Sequence, residues 1–88
     1  MPYIKKFRRE ILDEQIDLLV ERMNCLVGGP CGGDLNYIIT RLALAMNPKN
    51  YKEMSEIVGT LECAKQEFYR RKIQDYEDTK IDMNGDVY

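Results

Sequence analysis

The sequence predicts a mainly all-α single domain, residues 1–88, of three helices. Helices two and three form an antiparallel hairpin, and the third is long. Apolar residues recur at helical rather than alternating spacing, and the helix breaks fall at Gly28–Gly33 and at Asn47-Pro48. A single domain is also the most that a chain of 88 residues forms, and so short a chain buries a smaller fraction of its surface than a larger one, so its stability is marginal without reinforcement.

Met1-Pro2-Tyr3-Ile4 reads as extended, because proline lacks an N–H and disfavours the α region before it. From about Arg8 the stripe Ile11, Leu12, Ile16, Leu19, Val20 and Met23 defines the first helix. Gly28-Gly29-Pro30 requires it to stop between Cys25 and Val27. Asp34 reads as the N-cap of the second helix, whose stripe is Leu35, Ile38, Ile39, Leu42 and Met46, with Asn47-Pro48 as its stop. Asn50 caps the third, with Glu53 completing an Asn version of the capping box.

The third stripe is Met54, Ile57, Val58, Leu61, Ala64 or Lys65, Phe68 and Tyr76. A helix from Tyr51 to about Asp78 is roughly 40 Å long, about twice the length of helix two. Its far half needs another surface to cover Phe68, Tyr69 and Tyr76. A second copy of the chain supplies that surface most simply, so a homo-oligomer is expected. The tail from Lys80 contains Asn84-Gly85, which suits either a short β-hairpin, pairing with Tyr3-Ile4, or a frayed terminus.

Net charge is −2, which argues against general nucleic-acid binding. Basic residues gather at Lys5, Lys6, Arg8 and Arg9 and again at Arg70, Arg71 and Lys72, while Asp75, Glu77, Asp78, Asp82 and Asp86 load the end with acid. These runs are either solvated helix faces or basic patches that meet to hold an anion. No apolar run reaches the roughly 20 residues that span a bilayer. Cys25, Cys31 and Cys63 lack paired spacing, and no signal peptide is visible, so reduced thiols in the cytoplasm are expected. Cys63 reads as a small core residue, and Tyr51, Tyr69 and Tyr76 as packing residues.

The stretch Gly28–Gly33 is not a nucleotide-binding P-loop. A helix precedes it where a strand is needed, and Asp34 stands where a phosphate-binding lysine should be. A hinge is the simpler reading, and a dinucleotide fold fails for want of parallel strands. The chain has no histidine, which removes the commonest general base and the usual metal ligand. Three scattered cysteines do not make a zinc site, and Asp82–Asp86 lacks the flanking helix and terminal glutamate of a calcium loop. No catalytic residue, metal site or cofactor is therefore expected.

A binding site is still readable. Asn36, Tyr37, Thr40 and Arg41 lie in the first two turns of helix two, near the positive end of its dipole. The hairpin would bring Tyr69, Arg70 and Arg71 near them, and tyrosines with arginines suit base stacking and phosphate neutralisation.

"MPYIKK", "GDLNYIIT", "LECAKQEFYRR" and "YEDTKIDMNGDVY" resemble, over nearly the full length, a family of small uncharacterised phage and bacterial proteins, labelled a domain of unknown function. The resemblance implies, by analogy with other small phage proteins, an oligomer that sequesters a nucleotide signal of host defence, acting in the host cytoplasm if phage-encoded. The alternative is a protein-interaction module whose amphipathic helices inhibit a host protein.

Overall fold

The structure, a computed structural model, describes residues 4–88. It is all-helical, and no strand occurs among the described residues. The chain divides into two units, residues 4–50 and Tyr51–Tyr88. The hairpin expected of helices two and three spans that division and stays an expectation. The extended opening at Met1–Tyr3 lies outside the described residues.

In the first unit, α1 covers Lys6–Asn24. Lys5 is extended at its N-cap, and its carbonyl accepts the Arg8 and Arg9 N–H groups at 3.0 and 3.2 Å. The helix ends where the glycines require. The Gly29 N–H closes a turn on the Leu26 carbonyl at 2.8 Å, with Gly28 and Gly29 both at positive φ, 77° and 80°.

α2 spans Gly32–Ala45. It begins two residues before Asp34, so Asp34 is the third helical residue and Cys31 is the N-cap. The expectation that Asp34 caps the helix is corrected for a geometric reason. Its carboxylate reaches back to the Cys31 N–H at 2.9 Å, the acidic half of a capping box. At the other end Asn47 turns left-handed at φ 52° and its N–H bonds the Leu44 carbonyl at 3.0 Å. Pro48 then bars continuation.

The second unit is one long helical run. α3 covers Tyr51–Phe68, a π-helical turn covers Tyr69–Ile73, and α4 covers Gln74–Asn84. Asn50 stands directly before its first residue, where a cap was expected. The run continues six residues past Asp78. The short β-hairpin expected of the tail does not form, because Asn84-Gly85 serves as the helix stop instead. Gly85, at φ 86°, donates its N–H to the Ile81 carbonyl at 2.8 Å, which spends the positive φ that a hairpin turn would have used.

No described residue is buried. Ile38, Ile39 and Ala43 on α2 and Ile57 and Ile73 on the long run are half-buried. Cys63 is exposed rather than in a core, and Tyr51, Tyr69 and Tyr76 are exposed rather than packed. Among the described residues no helix is long and apolar enough to cross a membrane.

The π turn bears on how Phe68 and Tyr76 align along the second unit. Phe68 and Tyr76 are eight residues apart, which in a regular α-helix would swing Tyr76 most of a quarter turn out of line. A π turn takes up about one extra residue. The eight residues then count as seven, close to two full turns, and Tyr76 returns to the line of Leu61 and Phe68.

Candidate ligand site

The expected site residues fall into two groups, one in each unit. Asn36, Tyr37, Thr40 and Arg41 lie on α2, and Tyr69, Arg70 and Arg71 lie in the π turn.

On α2 the two four-residue intervals put each pair side by side on the helix surface. Arg41 Nη1 donates to Tyr37 Oη at 2.8 Å, and its guanidinium carbon lies 5.8 Å from the ring centroid. Thr40 Oγ1 donates to the Asn36 carbonyl at 2.8 Å, so its hydroxyl proton is engaged and its lone pairs face outward for a donor. The positive end of the helix is already answered from within. The Cys31 N–H bond holds the Asp34 carboxyl below the usual carboxylate range, so Asp34 carries negative charge at the start of α2. An anion arriving there would meet that carboxylate, which turns the attractive part of this face toward Arg41, nearly two turns on.

In the π turn, Arg70 Nη2 and Arg71 Nε both donate to Glu67 Oε1. Glu67 is half-buried and its carboxylate is shared between two guanidinium groups. With Lys72 the segment carries three cations against one carboxylate, the densest positive charge in the second unit. Tyr69 is half exposed beside it, at 52%. One turn later Lys80 Nζ stands 5.4 Å over the Tyr76 ring. Farther up α3, Glu62 accepts Lys65 at 3.4 Å and Gln66 at 3.3 Å, exposed pairs worth only a few tenths of a kcal/mol.

Among the described residues no group of three or more Cys, Asp and Glu side chains is arranged to hold a metal ion. Cys25, Cys31 and Cys63 are free and exposed.

The π turn is the one element of these groups that sequence reasoning did not anticipate. Its signal was present as a break in spacing. The stripe runs by threes and fours through Met54, Ile57, Leu61, Ala64 and Phe68, then takes five residues to Ile73 before resuming at Tyr76, Lys80 and Met83. Wide turns of this kind recur at functional sites in helices.

A family model described as a domain of unknown function, DUF6899, matches residues 1–87. The chain belongs to the DUF6899 family. No curated protein and no solved structure matches it. The expectation of a family of unknown function covering nearly the full length is thereby borne out, and DUF6899 membership assigns no ligand to either group of residues.

Proposed function

We propose that this DUF6899 protein is a non-enzymatic, homo-oligomeric binding protein that takes up a small anionic ligand of nucleotide type. One observation supports the reading above the others: no described residue is buried, so the apolar stripes need a partner before the protein can have a core. A chain with no histidine is better suited to holding a ligand than to transforming it. Tyr37 and Tyr69 offer ring faces for a base. Arg41, Arg70 and Arg71 offer charge for phosphate, and Asn36 and Thr40 offer hydrogen bonds. Sequestering a nucleotide signal of host defence in the cytoplasm is the narrowest form of this reading.

A second reading, a module that inhibits a host protein, is favoured by one feature of the first unit. Ile11 and Ile16 on α1 stay 71% and 50% exposed, an apolar face suited to a partner helix.

Native mass spectrometry of protein purified gently from its source tests both. An oligomer that retains a nucleotide-sized mass, lost in Arg70→Ala/Arg71→Ala with helicity unchanged, supports the first. A monomer that co-purifies with a host protein overturns it in favour of the second.

A further inference from the structure

We propose that two copies of the chain pair through their long helices, antiparallel, with the twofold axis at Phe68 and a π turn on either side of it. The inference rests on the homo-oligomer reading above and specifies its interface.

The stripe is Met54, Ile57, Leu61, Ala64, Phe68, Ile73, Tyr76, Lys80 and Met83, kept continuous by the π turn. From Met54 to Met83 it is about 43 Å long at α-helical rise. α1, of 19 residues, reaches only about 28 Å, and α2, of 14 residues, about 21 Å. Neither can line the stripe from end to end, whereas a second copy of the same helix matches its length by definition.

The order of residues favours the antiparallel choice. The stripe reads nearly the same from both ends about the Phe68–Tyr69 peptide. Met54 is as far from that point as Met83, Ile57 as Lys80, Leu61 as Tyr76, and Ala64 as Ile73. An isologous twofold interface requires this self-complementarity, because each residue of one copy faces the counterpart position of the other. The pairing also sets small Ala64 against branched Ile73 and brings the two Phe68 rings to the centre. Lys80, half-buried through its contact with Tyr76, lays an aliphatic stem along the seam opposite Ile57.

Charge points the same way. A parallel pair would align two acidic ends, each with Asp75, Glu77, Asp78 and Asp82 against Lys80 alone. The antiparallel pair instead sets each acidic end against the Lys52–Lys65 end of its partner, where two lysines against Glu53, Glu56 and Glu62 leave a smaller negative charge, so the repulsion is weaker although Asp75 faces Glu62.

The area suffices. Met54, Leu61, Phe68, Tyr76 and Met83 are 50%, 41%, 62%, 61% and 69% exposed. With roughly 150–250 Å² on each aromatic side chain, the stripe and its flanking stems offer on the order of 800 Å² per chain, a standard interface half. In the pair, Lys72 counts as three residues from Phe68 and therefore borders the seam. The partner's Lys72 borders the seam on the far side of the axis, about 10 Å away along it.

Cross-linking in the full chain, with Cys25, Cys31 and Cys63 replaced by Ser, tests the arrangement alongside sedimentation of the unaltered protein. In the antiparallel pair a chain carrying Leu61→Cys links to one carrying Tyr76→Cys. Leu61→Cys alone does not, because its two sulfurs stand about 22 Å apart along the axis. Met54→Cys with Met83→Cys supplies a second pair should the first disturb packing. Linking of the mixed chains alone is the expected result. Linking of Leu61→Cys to itself, or an oligomer in which neither mixed pair links, overturns this pairing and leaves the homo-oligomer reading standing. A monomer at tens of micromolar overturns both.

Discussion

Asp34 accepts the Cys31 N–H at 2.9 Å and in doing so closes the first turn of α2 from the inside. The bond favours the ionised carboxylate, so the folded pKa lies below that of the unfolded chain. Stability from this bond is therefore complete above the ordinary aspartate range near pH ~4 and fades as pH falls through the depressed folded value. The Cys31 amide resonance is expected to titrate below that range, with faster hydrogen exchange at the acidic end. In Asp34→Asn both effects should vanish. A Cys31 amide that titrates at the usual aspartate value would show that the bond does not form in solution.

Much of this architecture was readable from residue order, and the parts that were not share a cause. The ends of α1 and α2 follow from Gly28-Gly29-Pro30 and Asn47-Pro48, residues whose backbone limits act locally. Asp34 stands three positions inside the cap expected of it, because a carboxylate can serve as a cap or as the third residue of a capping box, and only the path of Cys31 decides. Asn84-Gly85 was ambiguous for a similar reason: positive φ at Gly85 suits a hairpin turn and a helix stop equally. Tyr76 was put on the stripe with Phe68, eight residues on, where a regular helix would have carried it out of line; by residue count the π turn takes up the extra residue. The α2 pair Tyr37–Arg41 was legible because a four-residue interval is local. Glu67 lies three and four residues before Arg70 and Arg71, intervals just as local, so their shared carboxylate was open to the same reading.

Glu67 tempers the positive charge of the π turn, so Glu67→Gln should strengthen anion binding there. Inorganic pyrophosphate is a suitable probe, followed by calorimetry at 50 and 200 mM salt. The variant is expected to bind it several-fold more tightly at the lower salt, with most of the gain lost at the higher, as exposed charges require. The thermal midpoint should move little, because ion pairs this exposed contribute about 1 kcal/mol or less. Weaker pyrophosphate binding in Glu67→Gln would mean that the carboxylate holds the arginines in a competent position rather than competing for them.

Asn47 ends α2 at φ 52°, a conformation that residues with a β-carbon adopt at a penalty unless their side chain can bond locally. Asn47→Ala should therefore destabilise the protein by about 1 kcal/mol, while Asn47→Gly should stay within a few tenths. Urea unfolding of the three proteins measures the difference. Equal losses in both variants would assign the role of Asn47 to its side-chain amide and not to its backbone angle.

The π turn makes an unusual prediction about chain length. Deleting Lys72 removes the residue that the wide turn takes up, so the segment should relax to a regular α-helix with Phe68 and Tyr76 now seven apart and still aligned. Helicity and sedimentation should be unchanged. An alanine inserted after Gln74 adds a residue with no wide turn to absorb it, which rotates Tyr76, Lys80 and Met83 by about 100° from the first half of the stripe. The inserted chain should keep its circular dichroism yet associate at least tenfold more weakly, because half of its apolar face no longer meets the partner's. The contrast matters more than either result alone. If deletion and insertion weaken assembly equally, the π turn is needed for its own shape, as a ligand site would need it. If neither does, the long helix is not the surface through which the copies meet.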